Sequence, residues 1–445
     1  MAIARSPEPP NPPNLQNPHA PESEQTERDS LLPSAPPRAT ASAGSHTANN
    51  HTETSPATTA DGTMASARYS PRSAQYCEET PASALPYIHD GRFGSGPSKV
   101  RREHLLALTD PHSPIGTSHR QSGVREIVGQ IRQHIADLFH LPDGYEVILG
   151  NGGATAIWDA IPFTLVEGRA QCAVVGEFSA KAARAVERAS WLDRPQIRRV
   201  EPGQYIGCVP DAQVDTYIYA HNETSTGVCS PLVSMPDGLT VVDGTSIAGG
   251  ALCDLSTTDF YYFSAQKCFG ADGGLWLAIA SPAARERIER LSASRWVPDF
   301  LNLQLAIENS RKNQTLNTPA ITTLLLIHSQ LAWMHECGGL AAMAQRCQSN
   351  SQAIYTWAEN HAYARPFIEP DYRSPVVCTV DFHPEIDAQQ MARILRERGI
   401  LDIEPYRSLG RNQLRIAAFP AIELADIQAL LETIDSIIAS GILRS

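Results

Sequence analysis

The sequence has no apolar run approaching the roughly 20 residues a helix needs to cross a bilayer, so nothing in it reads as a membrane span. It has no C-x-x-C pair either. Its nine cysteines, at positions 77, 172, 208, 229, 253, 268, 337, 347 and 378, are odd in number and widely scattered. That pattern argues against a zinc site or a disulfide frame and reads as reduced thiols, mostly small buried apolar residues. Positive charge is scarce as well: the formal net charge is -12 and the isoelectric point near 5.6. A protein that neutralises phosphate backbones is usually basic, so nucleic acid is excluded as the expected partner. The opening MAIARSPEPPNPP lacks the apolar core of a secretory signal. Residues 1–63 carry seven acidic residues against three arginines, the reverse of a basic import peptide. The expected location is the cytoplasm.

What is present divides in two. Residues 1–87 are rich in Pro, Ser, Ala, Thr, Asn and His and hold 14 of the 33 prolines, without helical or strand periodicity. Such a stretch cannot bury enough apolar surface to offset its ordering entropy, and a disordered extension is expected. Met64 offers an alternative start. From Ile88 onward the pattern is globular, with 42% hydrophobic and 19% charged residues over the whole chain. In SGVREIVGQIRQHIADLF, apolar residues recur at three- and four-residue steps from Val124 to Leu138, which predicts one face of a helix. Strand-like runs follow at 145–149, 171–176, 216–220, 240–244, 260–264 and 275–280, several separated by helical patterns such as 179–189. Strand alternating with helix predicts an α/β fold, a mostly parallel sheet covered by helices on both faces. A second group begins near residue 335: a helical pattern (338–361), the strand VVCTVDF, the helix DAQQMARILRERG, the strand LRIAAF and a last helix from Ala421. The expected organisation is an extension (1–87), a joining segment (88–112), a large domain (113–334) and a smaller C-terminal α/β domain (335–445).

In an open α/β sheet, functional residues sit at the carboxyl ends of the strands. After YEVILG comes Asn151-Gly152-Gly153-Ala154-Thr155, leading into a helix. Small residues there let backbone N–H groups and a hydroxyl close on a phosphate at the positive end of the dipole. The loop is neither a Walker motif nor G-x-G-x-x-G, and by itself it reads as an ordinary strand-to-helix turn. After TVV comes Asp243, and after FYYFSAQ comes Lys267. A lone strand-end lysine is ordinarily a solvated surface residue. In company, a phosphate cradle, a carboxylate and a strand-end lysine are the three parts that hold pyridoxal 5'-phosphate by its phosphate, its ring nitrogen and its aldehyde.

Read together, RFGSGPSKVR, IGTSHRQ, GNGGATAIWDA, GEFSAK, HNETSTGV, VDGTSIAGG, SAQKCFGADGGLWLA, NQTLNTPA and GRNQLRIAAFPAIE resemble the phosphoserine aminotransferases, a branch of the class V aminotransferases of fold type I. The match runs in order from about residue 88 to the end. The resemblance implies that Lys267 is the Schiff-base lysine and Asp243 the partner of the pyridine nitrogen. It further implies that Gly153, Ala154 and Thr155 with Gln266 bind the cofactor phosphate, that Phe178 stacks on the ring where many members have Trp, and that Thr224 lies near the phenolic oxygen. Asn317 and Thr318 match residues that reach the cofactor phosphate of a neighbouring subunit, so a homodimer with shared sites is implied. Arg415 matches the α-carboxylate arginine, and His119 and Arg120 the pair that meets the side-chain phosphate or carboxylate. Arg407 and Arg411 are further candidates, because YRSLGRN lacks the His-Arg pair common there. Two departures stand out: Cys268 replaces an asparagine beside the lysine, and Gly244 and Ile247 alter the loop after Asp243.

The implied reaction is a ping-pong transamination through Lys267. It converts 3-phosphohydroxypyruvate plus L-glutamate to O-phospho-L-serine plus 2-oxoglutarate, in L-serine and in some bacteria pyridoxine biosynthesis. The rivals are an alanine:glyoxylate or serine:glyoxylate aminotransferase, against which TSHRQ speaks, and a non-catalytic paralogue that keeps the cofactor. A cysteine desulfurase would need a mobile cysteine that neither Cys378 nor Cys268 supplies, and a nucleotide-binding protein would leave Lys267 unexplained.

Overall fold

Strands four to six residues long, most of them apolar, build the larger of two main sheets in the computed structural model, which describes residues 86–443. In chain order its region contains β1 (Glu146–Asn151), β2 (Ala170–Val174), β3 (Gln196–Arg199), β4 (Thr216–Ala220), β5 (Asn222–Glu223), β6 (Val228–Cys229), β7 (Leu239–Asp243), β8 (Phe260–Ser264) and β9 (Leu275–Ala280). Seven of these form one sheet in the order β1-β9-β8-β7-β4-β2-β3, while β5 and β6 form a separate hairpin. Pairing is parallel from β8 through β7, β4 and β2 to β3, and β9 is antiparallel to both its neighbours. Six strands therefore point the same way, and their carboxyl ends share one edge of the sheet.

The side-chain alternation of a strand decides what each face packs against. Tyr261 and Phe263 of β8, with Leu275, Leu277 and Ile279 of β9, face a core shared with α1 (Ser122–Phe139) and α6 (Ile321–Glu336). Phe260 and Tyr262 face the opposite core, shared with α2 (Ala154–Thr164), α3 (Glu177–Glu187), α4 (Pro282–Ser294) and α5 (Leu303–Arg311). Helices thus cover both faces, as the strand–helix alternation predicts. The edge strand β3 was not anticipated, because QIRR has one apolar residue and none of its four is fully buried.

A third core surrounds a three-stranded antiparallel sheet of β10 (Ala364–Pro366), β11 (Val377–Phe382) and β12 (Gln413–Ala417). Three helices contribute to it: α7 (Gly339–Asn360), α8 (Ala388–Glu397) and α9 (Leu424–Ala439). The 22-residue α7 is long enough, at about 1.5 Å per residue, to serve two cores. Its Leu340 and Met343 pack with α1 and α6, and its Cys347 and Ile354 with the small sheet. The incoming chain also joins the two. Phe93 is buried in the small-sheet core and bonds Leu401 and Ala417 through its backbone, whereas Val100, Ala107 and Leu108 pack against the α1–α6 core. The expectation for the N-terminal extension falls on residues outside the described range, apart from Pro86 and Tyr87.

Gly244, one of the two departures in the loop after β7, has a packing reason: a Cβ there would lie 2.2 Å from the buried ring of Tyr261. Gly244→Ala is expected to destabilise the protein by about 1–3 kcal/mol through overpacking, seen as a fall of several degrees in the thermal midpoint. An unchanged midpoint would show that the ring and loop give way freely.

Candidate active site

The carboxyl edge of the larger sheet carries most of the polar residues singled out above. Four of the six aligned strands deliver these groups: β1 ends at Asn151 before the Gly152–Gly153 turn, β4 runs into Asn222, β7 ends in Asp243, and β8 leads through Ala265 and Gln266 to Lys267. Of these, Gly153, Asn222, Asp243, Gln266 and Lys267 line a cavity of about 370 Å³ together with Gly96, Pro97, Ala154, Thr155, Trp158, Phe178, Thr224, Thr245, Ser246, Asp272 and Gly273. That size lies within the usual range of small-molecule sites.

Lys267 is held from two sides. Its Nζ donates to the carbonyl of Ser95 at 2.6 Å, and its own carbonyl accepts from the Ser98 hydroxyl at 2.6 Å. Gly96 lies between them with φ +136, and a Cβ at that position would sit 2.0 Å from Nζ. Only glycine lets the backbone pass so close to the amine. Burial lowers the Lys267 pKa from 10.5 to about 8, and the nearby Arg415 guanidinium pushes the same way, opposed by the charge of Asp243. The amine is consequently half unprotonated near pH 8 and available as a nucleophile or base.

Asp243 is 7% exposed. Burial raises its pKa, while Thr245 and Trp158 pull it back: the Thr245 N–H donates to Oδ1 at 2.9 Å and the Trp158 indole N–H to Oδ2 at 3.1 Å. Trp158 was not singled out from the sequence. It stands on the second turn of α2, and the alternation along β7 turns Asp243 toward that helix. A tryptophan entering a core must find an acceptor for its N–H, a signal too general to have identified Asp243 as that acceptor.

At the start of α2, the Ala154 N–H is taken by the Ser264 hydroxyl at 2.9 Å, but the N–H groups of Gly153 and Thr155 have no acceptor among the described residues. Such free donors at a helix N-terminus suit an anion. Around the cavity, Asn222 Oδ1, Thr245 Oγ1 and Gln266 Oε1 are buried without hydrogen-bond partners, as is Arg415 Nε nearby. Native proteins rarely leave such atoms unpaired, so a polar ligand is the expected complement. Phe178 forms part of the wall, with Trp158 at 6.4 Å and Tyr406 edge-on at 5.5 Å between ring centroids. The donor set therefore fits a flat, anionic, aldehyde-bearing cofactor such as pyridoxal 5'-phosphate.

The candidate substrate residues separate into three places. Arg415, on β12, donates from Nη1 to the Thr224 carbonyl at 3.1 Å and has its guanidinium 5.4 Å from the Tyr406 ring centre, beside the cavity. Arg411 is engaged elsewhere: it forms a two-pronged pair with the buried Asp381 and stacks over Phe367 at 4.1 Å. Arg407 is exposed and makes no ion pair among the described residues. His119, Arg120, Asn317 and Thr318 do not line this cavity. They gather around Asn151, where His119 Nδ1 and Thr318 Oγ1 lie 3.2 Å apart and Arg120 donates to Gln314 at 3.2 Å. Cys268 is fully buried, with its thiol 3.4 Å from the Ser246 carbonyl, and burial holds its pKa well above the usual thiol value. It packs and does not face the cavity. Among the described residues no helix is long and apolar enough to cross a membrane, and no cluster of His, Cys, Asp and Glu could hold a metal ion.

A lysine, a buried carboxylate and a free helix N-terminus on one cavity are the apparatus of a transaminase, and the aminotransferase class-V family matches residues 98–401. The chain belongs to that family. Among its relatives are a putative phosphoserine aminotransferase from Mycobacterium leprae, 52% identical over 367 residues and covering 81% of this chain and 97% of the relative, and a phosphoserine aminotransferase from Nocardioides sp., 50% identical over 368 residues, covering 81% and 98%. Of solved structures, a phosphoserine aminotransferase from Cytophaga hutchinsonii superposes with a TM-score of 0.70 at 24% identity, covering 78% of this chain and 99% of that one. A pyridoxal-phosphate-bound phosphoserine aminotransferase from Trichomonas vaginalis gives 0.67 at 20%, covering 78% and 100%. These two likenesses establish the shared fold.

Reductive trapping of Lys267 in the cofactor-free protein, with a small aldehyde and borohydride, should rise with pH through a midpoint near 8. Below that pH the amine is protonated and unreactive. A midpoint at or above 10 would mean that the amine is as well solvated as an ordinary surface lysine.

Proposed function

We propose that this chain is a phosphoserine aminotransferase that binds pyridoxal 5'-phosphate and works as a homodimer. It would exchange the amino group of L-glutamate with 3-phosphohydroxypyruvate to give O-phospho-L-serine and 2-oxoglutarate. The observation that carries the reading is the convergence of Lys267 and Asp243 on one cavity beside the open N-terminus of α2, in a chain about half identical to proteins of that name over most of their length.

Pyridoxal phosphate, when bound, supplies an electron-accepting ring for the charge that develops on the substrate Cα. The residues have separable tasks around it. The Gly153–Thr155 turn, with its two unused N–H donors, and Gln266 would hold the phosphate. Asp243, fixed by Trp158 and Thr245, would keep a proton at the ring nitrogen. Phe178 would lie against the ring and Thr224 near its phenolic oxygen. Lys267 would hold the aldehyde carbon and, once displaced by the incoming amine, move the proton at Cα; its lowered pKa suits a base near neutral pH. Arg415 would take the substrate α-carboxylate with its planar fork.

The linkage of His119 to Thr318 makes His119, Arg120, Asn317 and Thr318 one unit, and we assign that unit to the cavity of a second copy. Its place outside the lining of its own cavity and the exposure of Arg120, Asn317 and Thr318 support this assignment. Of the two remaining arginines, Arg407 is the candidate for the substrate's phosphate, since the Asp381 pair already satisfies Arg411. We read residues 335–445 with the start of the joining segment as the smaller domain.

Visible absorption tests the reading first. Protein loaded with pyridoxal phosphate should show the band of the lysine-bound cofactor, and O-phosphoserine should convert it far more readily than alanine or serine does. Equal response to alanine would favour a glyoxylate-type aminotransferase. Lys267→Ala should lose both the borohydride-trapped adduct and turnover, and normal turnover would refute the mechanism. Arg407→Ala should raise the KM for phosphoserine about tenfold, the equivalent of about 1.4 kcal/mol, with Arg411→Ala showing mainly a lower thermal midpoint. The opposite pattern would reassign the phosphate to Arg411.

A further inference from the structure

Glu223 is a fully buried carboxylate, 0% exposed, placed between two cavity residues, Asn222 and Thr224. Its side chain turns away from the cavity, and no lysine, arginine or histidine nitrogen lies within ion-pair distance of it among the described residues. Everything around its two oxygens is a donor. Oε1 accepts from the Phe178 N–H at 3.2 Å, the Ser225 N–H at 3.2 Å and the Ser225 hydroxyl at 2.6 Å. Oε2 accepts from the Ser179 N–H at 2.9 Å and the Ser179 hydroxyl at 2.8 Å.

Two of these, the Phe178 and Ser179 N–H groups, are donors of the first turn of α3, which a helix cannot satisfy internally. The usual remedy is a side chain at the cap position, but residue 176 is glycine. A Cβ there would lie 2.5 Å from both Glu223 Cγ and Ser225 Oγ. The carboxylate of β5 therefore fills the place of a local cap, and its charge complements the positive end of the helix dipole. The two serines extend the clamp. Ser225 Oγ accepts from the Glu177 N–H at 3.0 Å, and Ser179 Oγ accepts from the N–H groups of Val175 and Gly176, each at 3.1 Å. Every N–H from Val175 to Ser179 is thus held by Glu223 or by a hydroxyl bonded to it. Within this clamped turn only Phe178 sends its side chain to the cavity wall.

We infer that Glu223 is a positioning residue, which caps α3 from across the β5–β6 hairpin and thereby fixes the Phe178 ring at the face where the cofactor ring would lie. The inference rests on the cofactor reading above. It also accounts for a short polar run, NETST, whose glutamate takes two donors from the neighbouring Ser225 and the rest from the first turn of α3. An amide at this position would turn N–H groups toward existing donors, so Glu223→Gln should disturb the turn while conserving shape.

The test is a double-mutant cycle on the dissociation constant for pyridoxal phosphate, using the full chain with wild type, Glu223→Gln, Phe178→Leu and both together. Glu223→Gln should weaken binding about tenfold and alter the circular dichroism of the cofactor band at full occupancy. The double variant should bind within about twofold of Phe178→Leu alone, because both changes act through one ring. Should Glu223→Gln not fold, Ser225→Ala takes its place in the same cycle, with an expected weakening of about threefold. Unchanged binding and dichroism in the single variant, or losses that multiply in the double, would overturn the inference. Failure of the wild-type chain to bind pyridoxal phosphate would overturn the cofactor reading and this inference with it.

Discussion

A carboxylate at the end of a strand buried on both faces is expensive to keep charged, and much of the site follows from how that demand is met. Asp243 ends β7, whose five residues are all buried. Two N–H donors, from Trp158 and Thr245, replace part of the lost water. The positive groups nearby, Lys267 and Arg415, are themselves desolvated, and the pKa of each is lowered by burial. The same low-dielectric surroundings that hold the Asp243 pKa up bring the amine down to about 8. One buried environment thus shifts the two groups in opposite directions, the carboxyl upward and the amine downward.

Close approach of backbone to functional side chains is the second recurring device. Gly96 passes against the Lys267 amine, Gly176 against the Glu223 stem and Gly244 against the Tyr261 ring, each leaving no room for a methyl group. Two of these contacts are between segments far apart in the chain, residues 96 and 267 and residues 176 and 223. Glycine at such points has less to do with turns than with letting one segment serve as the wall of another's pocket. The Ser95–Ser98 segment illustrates the result. It links the small-sheet core to the α1–α6 core and on the way clamps both ends of Lys267.

Lys267, Asp243 and the Gly153–Thr155 turn were legible because strand periodicity locates strand ends, and strand ends are where an α/β sheet presents chemistry. Other participants were hidden for a physical reason. The bond from Trp158 to Asp243 spans 85 positions and depends on which face of β7 the carboxylate takes. The cap that Glu223 places on α3 spans more than 40 and depends on the β5–β6 hairpin, whose two-residue strands leave no periodic signal. Arg407 and Arg411 look equivalent in YRSLGRN. Only the register of β11 beside β12, which brings Asp381 opposite Gln413 and within reach of Arg411, separates them.

By itself the sequence determined the alternation of strands and helices, the two groups of elements and the ordered motifs that mark a class V aminotransferase, since these depend on local period and on residue type. Tertiary structure decided which of those residues share a cavity. It grouped His119 and Arg120 with Asn317 and Thr318 away from Lys267, committed Arg411 to Asp381, and set the amine's pKa. Grouping, pairing and desolvation arise from segments distant in the chain brought within a few ångströms of each other, and no local pattern encodes that distance.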